Sequence, residues 1–324
     1  MTTPTERTSN VECFLTQPVH PVALTYLKDH GISTRFATRL DAETVEKEIG
    51  DADAVITRDF GLHRAAIDAA PQLRIIACHG AGTNRIDMAA ARERGIIVTN
   101  TPGTNSQSVA ELTIGLILAS ARQIVAADSA VREGDWAYRY RCNGMELHGK
   151  TLGLIGFGAI ARKVSSIARL GLGMNVSSWS PSVPPALMLE HQVVCHSTLE
   201  SLLATSDVIS IHRAGTNHNT PLLDAQMLGA MRPGAFLVNV ARGSVIDQNA
   251  LLAALECGKI AGAALDVLAS EPPPADDPLL NARAVTLTPH LGGTTEEALQ
   301  RMALKCAMQV RDALDGSAPE HRLA

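Results

Sequence analysis

From Val11 onward the chain alternates short apolar runs with amphipathic stretches. Runs at 11–15, 54–57, 73–78 and 96–99 read as buried strands. Stretches at 22–30, 42–49, 64–69 and 87–94 carry apolar residues at helical spacing between them. Such alternation predicts parallel β-α units around a buried sheet. Asn100-Thr-Pro-Gly-Thr-Asn105 breaks the pattern, and one long helix is predicted from Ser106 to about Val131, with Glu111 in an early turn. After a polar loop reaching Gly149, a second alternation begins, with strands expected at 151–155, 175–179, 193–195, 207–211, 235–240, 261–265 and 285–288. Helices are expected at 159–170, 199–204, 224–229 and 249–256, then a last one over 294–314 and a polar tail over 317–324. The pattern predicts an α/β chain with two doubly wound parallel sheets.

The second alternation opens on Gly153-Leu-Ile-Gly156-Phe-Gly158-Ala-Ile-Ala161. Gly156 permits a tight turn, Gly158 lets backbone approach a pyrophosphate, and Ala161 can stand for a third glycine where helix packs on strand. The helix that follows aims its N-terminal N–H groups at a phosphate. A glycine-containing strand-to-helix turn without a ligand is the plainer reading. A second loop, His79-Gly-Ala-Gly82-Thr-Asn-Arg-Ile-Asp87, follows the strand at 73–78. Ligands bind at such strand carboxyl ends, although turn chemistry alone also accounts for its glycines.

A chain of 324 residues has room for two domains, and 46% hydrophobic with 3% aromatic content makes their cores aliphatic. A net charge of −5 gives no field to draw nucleic acid or an anionic membrane. The six cysteines (Cys13, Cys78, Cys142, Cys195, Cys257, Cys306) show no CxxC pair and no metal-ligand spacing, so free thiols and no metal are expected. Residues 1–10 are polar, without the apolar core of a signal peptide, and the apolar run 112–121 is too short to span a bilayer. A cytoplasmic location follows as the expectation.

Three ionisable residues stand at predicted strand ends: Arg242 after 235–240, Glu271 after 261–265, and His290 after 285–288. A guanidinium can clamp a carboxylate, an imidazole can protonate a ketone oxygen, and a carboxylate can fix the imidazole tautomer. Singly, each also reads as a surface ion-pair, loop or capping residue.

With these motifs in order, the chain resembles the D-isomer-specific 2-hydroxyacid dehydrogenases over about 54–300. The resemblance rests on Gly80-Ala-Gly82…Ile86-Asp87; Asn100-Thr-Pro-Gly103…Val109-Ala-Glu111; the glycine elbow; Asn239-Val-Ala-Arg242-Gly243…Asp247; Ala264-Leu-Asp266-Val267…Glu271-Pro272; and Thr288-Pro-His290. It implies a Rossmann-type dinucleotide domain (106–292) inserted into a flavodoxin-like substrate domain (1–105 and 293–324). Arg242 is then the carboxylate clamp, Glu271 the histidine's partner and His290 the acid/base. Gly80, Ala81 and Gly82 form a second carboxylate cradle. The pyrophosphate turn is Gly156, Phe157, Gly158, Ala159 and Ile160, and Val109, Val240, Ala241, Asp266 and His290 border the nicotinamide. His212 lies beside the adenosine half. Hinged closure over the coenzyme and a homodimer through the long helix are also implied.

Dinucleotide sites usually carry Asp or Glu about 20 residues past the glycines, to bind ribose and repel a 2′-phosphate. Here Ser180 takes that place and Pro181 follows, so NAD is expected with NADP possible. Ala214 stands where many relatives have Pro, and Glu271 rather than Gln favours substrates that exchange a proton. The small-molecule substrate expected is hydroxypyruvate or glyoxylate. D-3-phosphoglycerate is the alternative, with Arg58 meeting its phosphate, although a solvated Arg58 is an equal reading. A non-catalytic dinucleotide-dependent corepressor on the same fold is the second class.

Overall fold

The computed structural model describes residues 11–213 and 220–324; segment 1–10 and Ala214, both read above, lie outside them. The described residues form two compact units, 11–105 with 293–324, and 106–292.

The first unit begins β1 (Glu12–Leu15), α1 (Pro21–Asp29), β2 (Ser33–Phe36), α2 (Ala42–Ile49) and β3 (Ala54–Thr57). It continues α3 (Arg64–Asp68), β4 (Ile75–Cys78), α4 (Met88–Glu93) and β5 (Ile97–Thr99). Among the described residues these strands make a five-stranded parallel sheet in the order β2-β1-β3-β4-β5, the flavodoxin-like doubly wound arrangement. β3 and β4 are buried on both faces, which is why they read as unbroken apolar runs. Period-two alternation sends Phe14, Val55, Ile76 and Val98 to one core and Cys13, Leu15, Ile56 and Ile75 to the other.

β2 is a strand the apolar pattern did not announce. Its Ser-Thr-Arg-Phe sequence is polar because it lies at the sheet edge, where Arg35 pairs with Glu12 at 2.7 Å and stacks over Phe14. The segment at 317–324, expected as a bare polar tail, instead ends on β5. Leu323 N–H donates to Val98 O at 2.7 Å, and Thr99 bridges Arg322 in antiparallel fashion. Those contacts cover an edge that would otherwise present unpaired backbone groups.

The second unit runs α5 (Ser106–Ala121), α6 (Ile124–Arg132), β6 (Thr151–Ile155), α7 (Ala159–Leu172), β7 (Asn175–Trp179), α8 (Pro185–Glu190) and β8 (Val194–Cys195). Then come α9 (Leu199–Thr205), β9 (Val208–Ile211), α10 (Ala225–Ala230), β10 (Ala235–Asn239), α11 (Gln248–Glu256), β11 (Ile260–Leu265) and β12 (Val285–Leu287). Among the described residues its strands form a seven-stranded parallel sheet, ordered β12-β11-β10-β9-β6-β7-β8. Counted from β6, this is the Rossmann order with one further strand, and the order reverses between β6 and β9. Gly153 is required inside β6, because an added Cβ would collide with Ser206 Oγ and Ile209 Cδ1.

The single helix expected over 106–131 is two helices. Gln123 adopts a left-handed conformation (φ 52°), and α5 and α6 meet at 61°. No glycine or proline marks that break. The remaining helix, α12 (Glu296–Leu314), belongs to the first unit, where Ala303, Cys306, Ala307 and Val310 pack on the β1/β3/β4 face. Among the described residues no single helix is long and apolar enough to cross a membrane.

Candidate active site

In the second unit the carboxyl end of the sheet is built around the turn from β6 into α7. Gly156 has φ 95°, and an added Cβ would lie 3.0 Å from His212 O, so conformation and crowding both demand glycine. Its N–H donates to Trp179 O at 2.9 Å, and His212 N–H donates to Ile155 O at 2.8 Å, tying the ends of β7 and β9 to the turn. Gly158 caps α7 and has open space where a Cβ would stand. Gly158 and Ala159 are exposed and Ile160 half-buried, whereas Phe157 and Ala161 are buried in the core. Phe157 can therefore serve a ligand only through its backbone.

His212 Nε2 lies 2.9 Å from Ser210 Oγ. Its Nδ1 is buried with no hydrogen-bond partner among the described residues, and burial pushes the imidazole down to about 3, so it is neutral. An orphaned buried nitrogen beside an open glycine cradle fits a polar ligand such as a dinucleotide. Ser180, buried and uncharged, follows β7.

Across the same sheet end lie the three ionisable residues. Arg242 follows β10, half-buried, and its Nη1 donates to Ala241 O at 2.6 Å. Glu271 and His290 are brought into contact, Oε2 to Nδ1 at 2.9 Å, while Glu271 Oε1 accepts from Leu268 N–H at 3.1 Å. Both carboxylate oxygens are thus held and the imidazole is oriented by one of them. The Arg242 loop sits directly on this turn, since a Cβ at Gly243 would overlap the Leu268 carbonyl. The three residues share the strand ends of β10, β11 and β12, which are neighbours in the sheet.

Two residues hold these loops in place in ways the linear pattern concealed. Buried Asn239 donates from Nδ2 to Arg242 O at 2.9 Å and accepts Ala241 N–H at 3.0 Å. Asp266, expected beside the nicotinamide, directs its carboxylate largely at the chain. It accepts Thr288 Oγ1–H (2.6 Å), Leu291 N–H (2.7 Å) and Gly292 N–H (2.9 Å), and its carbonyl takes His290 N–H (2.9 Å). That clasp supports His290 in its left-handed backbone state (φ 54°). Val109 and Val240 are buried in one apolar cluster, with Val109 against Gly292.

In the first unit the loop after β4 has all three carbonyls occupied. Gly80 O accepts Thr101 N–H (2.9 Å), Ala81 O accepts from Asn100 Nδ2 (2.7 Å), and Gly82 O accepts from Cys78 Sγ (3.1 Å). Gly80 N–H is itself bonded to Thr101 Oγ1 at 3.0 Å, which removes Gly80 from the expected cradle as a donor. The N–H groups of Ala81 and Gly82 have no partner among the described residues. Arg58 donates from Nη1 to Pro18 O at 3.0 Å. Next to the loop, His79 is buried, and burial together with the nearby Arg58 charge lowers its imidazole to about 4. Among the described residues no group of three His, Cys, Asp or Glu side chains could hold a metal ion.

The family model for the D-isomer specific 2-hydroxyacid dehydrogenase, NAD binding domain, matches residues 114–292. A D-3-phosphoglycerate dehydrogenase of Methanocaldococcus jannaschii is 38% identical over 312 residues, 96% of this chain and 59% of that protein. The chain thus spans a little over half the length of that curated relative. Among solved structures, the TT0316 protein of Thermus thermophilus superposes with TM-score 0.89 at 33% identity, covering 97% of this chain and 100% of that one. An NADPH-dependent glyoxylate/hydroxypyruvate reductase of Sinorhizobium meliloti, solved with NADP and malonate, gives TM-score 0.85 at 28% identity, covering 98% and 97%. With more than half of its length matched by the family model, and with this fold, the chain belongs to the D-isomer specific 2-hydroxyacid dehydrogenases.

Proposed function

We propose that the chain is a nicotinamide-dinucleotide-dependent oxidoreductase interconverting a 2-oxoacid and its D-2-hydroxyacid, with His290, Glu271 and Arg242 as its working side chains. The observation that carries this reading is the 2.9 Å contact of Glu271 Oε2 with His290 Nδ1 at the sheet end that also bears the glycine turn. A bound nicotinamide coenzyme supplies or accepts the hydride at substrate C2. Glu271, facing Nδ1, fixes the tautomer and leaves proton exchange with the substrate oxygen to His290 Nε2. Arg242 holds the substrate carboxylate through paired N–H groups. Ala81 and Gly82 are assigned as further N–H donors to a carboxylate. A homodimer belongs to the same reading, supported by the exposed apolar residues Ile124, Val125, Val131, Trp136 and Tyr140.

For the substrate, the names of the curated relatives favour D-3-phosphoglycerate over the hydroxypyruvate or glyoxylate expected first. The Sinorhizobium meliloti reductase keeps the second reading in play. Arg58 is the cation we assign to a substrate phosphate. The test is absorbance at 340 nm with 3-phosphohydroxypyruvate, hydroxypyruvate and glyoxylate, each with NADH and NADPH. The phosphorylated oxoacid is expected to show the highest kcat/KM and to lose that advantage in Arg58→Ala. A higher value for glyoxylate or hydroxypyruvate would return the assignment to the reductase type. Dinucleotide binding without turnover of any 2-oxoacid would point to the non-catalytic corepressor class.

A further inference from the structure

The end of β7 lacks the charge that dinucleotide sites use to refuse a 2′-phosphate. Residues 176–183 contain no Asp or Glu, and buried Ser180 stands at the usual acidic place. What the structure adds is a cation over the last residue of β7, delivered by a different strand. β9 and β7 flank β6, and the hydrogen bonds from His212 to Ile155 and from Gly156 to Trp179 hold both strand ends against the glycine turn. Arg213, the next residue after His212, has its backbone nitrogen 3.2 Å from where a Cβ on Gly156 would be. Its guanidinium lies 5.4 Å from the centroid of the Trp179 ring, one residue from Ser180. It makes no ion pair or hydrogen bond among the described residues.

An arginine held over an indole face by cation–π attraction is partly positioned, and its planar fork of donors matches a phosphate in bidentate fashion. An Arg near this strand end is also how dinucleotide folds accommodate a 2′-phosphate. We propose that Arg213, reaching across β6 toward the strand end that carries uncharged Ser180, binds the 2′-phosphate of NADP(H) and makes this chain accept that coenzyme at least as well as NAD(H). The proposal rests on the dinucleotide reading above and deepens it by naming the residue that sets coenzyme choice.

Calorimetric titration of the whole chain with 2′,5′-ADP, 5′-ADP, NADPH and NADH tests it without requiring turnover. The wild type is expected to bind 2′,5′-ADP more tightly than 5′-ADP. Arg213→Ala should weaken 2′,5′-ADP and NADPH by roughly 10- to 100-fold, the scale of lost charge-assisted hydrogen bonds, and NADH by no more than about threefold. Ser180→Asp should weaken NADPH independently while preserving NADH, so the idea does not depend on one variant's folding. Equal weakening of NADH and NADPH in Arg213→Ala would mean a stacking or structural role and would overturn the proposal. So would a wild type indifferent to the 2′-phosphate. Failure of both dinucleotides to bind would instead bring down the dinucleotide reading itself.

Discussion

Replacing His290 with alanine is expected to lower kcat on a 2-oxoacid by roughly 10²–10⁴-fold, the usual contribution of a positioned acid/base group. Dinucleotide affinity should fall far less than kcat, because the glycine turn and the His212 nitrogen lie on other loops. The expectation follows from how the ring is held: Glu271 Oε2 fixes Nδ1, and Asp266 fixes the backbone that presents it. Single-turnover measurement of coenzyme oxidation separates the chemical step from binding. Turnover within a few-fold of wild type would take His290 out of the chemistry.

Arg242→Ala is the second large effect. Two charge-assisted hydrogen bonds at about 1.5–3 kcal/mol each put the expected fall in kcat/KM at roughly 10²–10⁴-fold. Arg242→Lys should recover only part, since an ammonium keeps the charge but not the planar fork. The informative comparison is between a 2-oxoacid and its methyl ester. Wild type should strongly prefer the acid, whereas Arg242→Ala should treat the two alike. If the variant loses equally on acid and ester, Arg242 supports the loop through Ala241 O rather than the substrate.

The legibility of this chain follows its physics. β3 and β6 stand at the expected residues because buried central strands are written as compact runs with clear borders. β2 escaped because an edge strand needs no apolar run, and its Arg35 works by pairing with Glu12. The α5/α6 break escaped because Gln123 takes a left-handed conformation without the glycine that normally advertises one. α8, six residues introduced by prolines, is too short to display a period. At the candidate site, strand-end positions in the sequence are enough to group Arg242, Glu271 and His290 at the carboxyl end of one sheet. Their supports were another matter. Asp266 reaches Leu291 and Gly292 across 25 and 26 residues, and nothing in its local sequence distinguishes a loop clasp from a ligand contact. Arg213 was hidden for a similar reason, its partner Trp179 lying on a strand two positions away in the sheet.

His79 in the first unit and His212 in the second share a property with a consequence for acid. Each stays neutral down to about 4 and about 3 respectively, while an unfolded chain would protonate both near the ordinary 6.5. Folded-state values below unfolded ones mean that the full stabilising contribution is present above 6.5 and drains away as pH falls through that window. Each imidazole then subtracts up to about 1.4 kcal/mol per pH unit. Urea midpoints between pH 7 and 4.5 should fall, less steeply in His79→Gln and His212→Gln, and an unchanged slope in both variants would refute this origin. Acid lability is thereby written separately into each half of the molecule, so souring the solution loosens both without either having to transmit anything to the other.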